Sequence, residues 1–177
     1  MKRLFLPIVD YFRTRRKVIL KFIAPIICSG IFIGLSFLIP LQEDADIPQI
    51  FSDFINALIS IVAIFISFSI AIISILVSAD NPNIQRLREM QSKDGSMKEL
   101  NGKPLTLFQV LLSNLAYNVF IEVLFLVVLI VYLLIKAVIP EVAIRYLIAF
   151  GVFGIVHILL ILLETVVQMY HTFWQKQ

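Results

Sequence analysis

Two short series of polar residues stand inside otherwise apolar stretches, and any chemistry this chain performs has to come from them. Asn114, Asn118 and Glu122 are spaced four apart. His157, Glu164, Gln168 and His171 follow at steps of seven, four and three, so on a helix they share one face. A carboxylate and an imidazole can relay protons or act as general acid and base. Counting inward from the ends of their segments at about 1.5 Å per residue puts Glu122 and His157 near the middle of a membrane, with Glu164 level with Asn114. A Glu122–His157 pair and a Glu164–Asn114 contact are both within reach. A charge at the bilayer centre costs about 2.5–3.5 kcal/mol on insertion scales, so Glu122 is expected to be protonated, paired or facing water. The preferred reading of the cluster is a hydrogen-bonded clasp that fixes helix register. A proton or ion path comes second. Acid–base catalysis comes last, because no nucleophile or metal ligand accompanies it, and neither a cofactor nor a catalytic residue is assigned.

A second polar pattern, Asn56, Ser60, Ser67, Ser74 and Ser78, falls in a narrow stripe with Ala63 and Ala71, and Ser69 lies off it. Small and hydroxylated residues let membrane helices approach and bond across, so this stripe is a packing seam or, in an oligomer, a pore wall. Gly30 and Gly34 form a G-x-x-x-G that suits close helix contact, and Pro25 is expected to kink the same segment.

The elements that position these groups are membrane spans. Of 177 residues, 60% are hydrophobic and 15% charged, against roughly 45–50% and 25% in soluble domains. Four apolar runs reach the roughly 20 residues needed to cross a hydrocarbon core: 18–40, 54–78, 107–135 and 142–170. The first run is too long for a signal-peptide core, and no small-residue cleavage site follows it. Lys2, Arg3, Arg13, Arg15, Arg16 and Lys17 precede the first span, and Arg86, Arg88, Lys93, Lys98 and Lys103 lie between the second and third. The segment 41–53 carries Glu43, Asp44, Asp46 and Asp53 with no basic residue, and obeys the charge rule. This alternation puts both termini inside. The expected fold is all-α: an integral membrane four-helix bundle, N-in and C-in, in one membrane domain with a short tail at 171–177.

Outside the lipid, segment 1–17 reads as an interfacial amphipathic helix with Leu4, Phe5, Ile8 and Phe12 on one face, followed by Arg13, Arg15, Arg16 and Lys17 as a membrane-surface basic cluster. In the loop 79–106, Pro82 is expected to open a short helix, Asn101-Gly102 to close a hairpin, and Thr106 with Gln109 to form a capping box. The loop is too short for a catalytic domain but can dock a soluble partner through Arg86, Arg88, Lys93 and Lys98.

Several chemistries are excluded. The single cysteine, Cys28, rules out disulfide-generating four-span enzymes, and every aspartate lies in a loop or terminus, which rules out intramembrane aspartyl peptidases. His157 and His171 share one helix about 21 Å apart, unsuited to a di-haem bundle. No basic stripe interleaved with aromatics suggests direct nucleic-acid binding.

The whole-chain layout, with the run Arg13-Thr14-Arg15-Arg16-Lys17, short outer loops and an inner loop carrying Asn81-Pro82-Asn83, resembles the membrane subunit of Kiwa-type bacterial antiphage defence systems. That resemblance implies a homo-oligomeric inner-membrane sensor or scaffold that recruits a cytosolic effector. The competing expectations are an ion-conducting oligomer and an intramembrane enzyme.

Overall fold

The computed structural model describes residues 5–15, 18–38, 46–78, 82–91 and 104–174. The described chain is helical: α1 (Leu6–Thr14), α2 (Leu20–Leu38), α3 (Ile47–Ser78), α4 (Pro82–Glu89), α5 (Leu107–Ile135), a 3-10 turn at Lys136–Val138, and α6 (Glu141–Trp174). Four helices are long and apolar enough to cross a membrane. Helix starts follow local chemistry. Pro82 opens α4, where a missing N–H costs nothing. The capping box at α5 is complete: the Gln109 amide donates to Thr106 Oγ1 (3.2 Å) and the Thr106 amide donates to Gln109 Oε1 (2.9 Å).

Helix α3 begins seven residues before the apolar run does. The side chain of Asp46 accepts from the Gln49 amide at 3.0 Å, and Gln49 Nε2 donates to Asp53 Oδ1 at 2.9 Å, so residues 47–53 of the expected loop are helical and carry Phe51 into the core. Hydropathy marks where lipid contact stops, whereas the helix continues while its capping and side-chain bonds last. At 32 residues, α3 is about 48 Å long, well over the roughly 30 Å of hydrocarbon.

Helices α3, α5 and α6 pack on one another around Phe51, Ile55, Leu58 and Val62 of α3, Phe125 and Leu129 of α5, and Ile144, Ile158 and Leu162 of α6. Close approach is set by Gly151 and Gly154 on α6. A Cβ at Gly151 would sit 2.8 Å from Phe54 Cε1, and one at Gly154 would run into the Phe125 ring. The expected contact pair, Gly30 and Gly34, does not serve this purpose within the chain: a Cβ at either meets nothing within 4 Å. Helix α2 packs chiefly on α6, and Pro25 is its one buried residue, so most of its apolar surface faces outward. Pro25 lies inside α2, which continues as helix on both sides of it.

The end of the bundle carrying α1, α4 and the C-terminal part of α6 is called the basic end below. There α4 folds back, burying Ile84 and Leu87 against Leu76, Leu111 and Leu115. Helix α1 lies on α5 rather than alone on a surface. Its docked face is Tyr11 and Thr14, continued by Arg15, while Phe5 and Phe12 stay exposed. Ile8 of that expected apolar face is partly buried against the Tyr11 and Tyr117 cluster, and Leu4 lies outside the described residues.

Candidate functional site

The polar residues within and beside the spans meet in three tiers. The deepest joins α3 to α5. Glu122 Oε1 accepts from Ser69 Oγ at 3.2 Å and from Asn118 Nδ2 at 2.6 Å, and all three residues are fully buried. Glu122 Oε2 and Asn118 Oδ1 have no hydrogen-bond partner among the described residues.

The middle tier joins α5 to α6. The Tyr117 hydroxyl and His157 Nε2 lie 3.1 Å apart. Aromatic rings hold both in place: Tyr11 stacks on Tyr117 (centroids 3.9 Å, planes 7° apart) and Phe22 stacks on His157 (4.6 Å, 16°). The imidazole also lies beside the backbone carbonyl of Lys21, short of hydrogen-bond geometry. That carbonyl is the one Pro25, four residues on and without an N–H, cannot serve as a helix donor.

The shallowest tier, at the basic end, joins α6 to Arg15, just past the end of α1, and to Lys21 in the first turn of α2. Glu164 Oε1 accepts from Arg15 Nη1 at 2.9 Å, and Glu164 Oε2 pairs with Lys21 Nζ. Gln168 Nε2 donates to Glu164 Oε1 at 3.1 Å, and Gln168 Oε1 accepts from Asn114 Nδ2 at 3.1 Å. The Arg15 guanidinium also sits 4.5 Å from the centroid of the Tyr11 ring. Burial pushes the Tyr11 phenol above its usual range, with the positive charge of Arg15 opposing the shift.

Both contacts anticipated from spacing are rearranged. Glu122 and His157 do not pair. On α5, Tyr117 precedes Glu122 by five residues, about 140° around the helix, so Tyr117 faces α6 while Glu122 and Asn118 face α3. Glu164 and Asn114 do not touch directly either. Gln168, one turn further along α6, bridges them, because Glu164 is turned toward Arg15 and Lys21.

The serine stripe behaves differently from the tiers. Ser60, Ser67 and Ser74 donate to the carbonyls of Asn56, Ala63 and Ile70 at 3.0, 3.0 and 2.9 Å, and Ser78 donates to that of Ser74. These serines and Asn56 are exposed on the outer face of α3. Ser52 accepts from Lys136 Nζ at 3.1 Å, and among the described serines the one bonded between two long helices is Ser69, which the stripe omits. Its signal was a seven-residue row, Ile55, Val62, Ser69 and Leu76, that marks the buried face of α3.

Arg15 is not a surface residue: at 5% exposure it belongs to the Glu164 pair, whereas Arg13 is exposed. Arg16, Lys17, Lys93, Lys98, the Asn101-Gly102 hairpin and the side chain of His171 lie outside the described residues. Arg86 and Arg88 are exposed on α4, Arg88 with its guanidinium 5.0 Å from the Phe108 centroid. Cys28 is exposed on α2.

Chemically, the tiers hold helices together. Glu122 and His157 face separate partners, and among the described residues no group of three or more His, Cys, Asp or Glu gathers to hold a metal ion. No protein-family model, curated protein or solved structure matches the chain.

Proposed function

We propose that this multi-pass membrane protein is a non-enzymatic subunit that self-associates in the bilayer and docks a soluble protein at its basic end. One observation carries the proposal. Among the described residues the buried polar side chains between helices bond to one another, in the Glu122–Ser69–Asn118, Tyr117–His157 and Arg15–Glu164–Lys21 contacts, and no cluster of metal-ligating side chains is assembled beside them. The outward features supply what association needs. Gly30 and Gly34 stand open on α2, and the serines of α3 face out with their hydroxyls already bonded to backbone. On α4, buried Ile84 and Leu87 seat a short helix that presents Arg86 to the surroundings. The charge rule assigns this end to the cytoplasm. The resemblance in layout adds a bacterial inner membrane and a role in antiphage defence, with the docked protein as a cytosolic effector.

The test is purification in mild detergent from native cells, with the mass of the eluted species measured. A homo-oligomer carrying a soluble protein, released by Arg86→Glu with Arg88→Glu, is the expected result. A monomer with nothing bound would overturn the proposal. The exposed Ser60, Ser67 and Ser74 favour one alternative, an oligomeric pore. It predicts ion flux in proteoliposomes that bulky substitution at Ser67 blocks.

A further inference from the structure

At the basic end a half-open groove of about 320 Å³ runs between α1 and α5. Leu6, Pro7, Val110 and Ala116 give it apolar walls, and Asp10, Arg15, Gln109 and Ser113 give it polar groups. On α5 it extends from Gln109 to Ala116, about 10 Å along the axis, enough to cross the roughly 5–7 Å headgroup layer of one leaflet and reach the hydrocarbon. Two of the lining residues each carry a buried polar atom with no hydrogen-bond partner among the described residues: Arg15 Nε and Ser113 Oγ. Arg15 is more than nine-tenths buried. A buried guanidinium nitrogen and a buried hydroxyl rarely go unserved, so an acceptor from outside the chain is the simplest partner for both.

Charge narrows the choice. The charged residues lining the groove are Arg15, which shares the carboxylate of Glu164 with Lys21, and exposed Asp10. A net anionic headgroup would bring its charge against the Asp10 carboxylate, while Arg15 is already paired with Glu164. A zwitterion with its phosphate toward Arg15 and its ammonium toward Asp10 meets a complementary sign at each end. A primary ammonium can also donate hydrogen bonds to Asp10, which a quaternary one cannot.

We propose that this groove binds one phospholipid of the phosphatidylethanolamine class, with the phosphate at Arg15 Nε and Ser113 Oγ, the ammonium at Asp10, and the chains leaving over Leu6 and Ala116. The site places the lipid between α1 and α5, so its occupancy strengthens the docking of α1. This inference is independent of the proposed partner.

The experiment is native mass spectrometry of the full chain, stripped of lipid in detergent and titrated separately with dioleoyl phosphatidylethanolamine, phosphatidylcholine and phosphatidylglycerol. One phosphatidylethanolamine per chain is expected, held at least tenfold more tightly than either other lipid. Ala116→Phe, which fills the groove, removes that binding. Asp10→Lys changes an exposed side chain, leaves helix content by circular dichroism unchanged, and turns the preference to phosphatidylglycerol. Equal retention of the three lipids, tightest binding of phosphatidylglycerol by the parent chain, or full binding by Ala116→Phe would each overturn the assignment.

Discussion

Substituting Glu164 by glutamine tests whether the shallow tier holds α1 and α2 to the bundle. Glutamine keeps the size and an acceptor oxygen, so packing is preserved and only the charge is lost. The Arg15 and Lys21 side chains, 4% and 23% exposed, then share a site without a counterion. Breaking a buried ion pair from one side costs about 3–5 kcal/mol. Glu164 itself is 27% exposed, so water recovers part of that cost and a value of about 3 kcal/mol is appropriate. At about 1.4 kcal/mol per factor of ten, the balance between docked and released α1 shifts about 100-fold. The Tyr11–Tyr117 stack, worth about 0.5–1.5 kcal/mol, does not replace it. Hydrogen exchange in nanodiscs reads this directly: amides of residues 6–14 should exchange about 100-fold faster, while those of α3 and α5 keep their protection. Exchange of α1 within about threefold of the parent would refute the reasoning, since the pair would then add nothing beyond the aromatic stack.

Glu122→Gln should keep thermal stability within about 1 kcal/mol, because one amide oxygen can accept from both Ser69 and Asn118, whereas Glu122→Ala should lose about 1–3 kcal/mol by orphaning two buried donors; melting in detergent separates the two. Gly154→Val forces a side chain into the Phe125 ring and should cost about 1–3 kcal/mol or more in the same assay, while Gly34→Val leaves monomer stability unchanged and lowers the oligomer mass. For Tyr11 the folded phenol titrates above its usual value of 10.0, so docking is at full strength below that pH and weakens as pH rises through the shifted value. Protection of residues 6–14 should therefore fall in strongly alkaline buffer, and Tyr11→Phe should remove that pH dependence.

Span number and the α5 cap were readable because each depends on local composition: an uncharged run for a span, a Thr and a Gln three apart for the cap. Polar partners were not readable, because they depend on how each helix is rotated about its axis. Asn118 and Glu122 are neighbours on one face by spacing alone, yet only packing against α3 selects Ser69 rather than His157 as the third member. The α2 glycines are spaced for close contact but face outward. Gly151 and Gly154, at a less familiar spacing, are where helices meet. Arg15 looked like one cation in a basic run because its carboxylate partner lies 149 positions away.

Helix α2, the first long helix in the chain, has its principal contact with α6, the last. During synthesis it therefore enters the bilayer about 100 residues before its partner exists, an interval of roughly 5–20 s at ordinary elongation rates. Throughout that time it must persist as a lone helix, held only by its own hydrophobicity and the cations beside it. The bundle closes when α6 arrives carrying Glu164 for Lys21 and Arg145 for the Ser36 carbonyl, one fastening near each end of α2. Assembly is thus ordered by translation itself. A chain stopped before α6 holds three long apolar helices, the first of them without its principal partner.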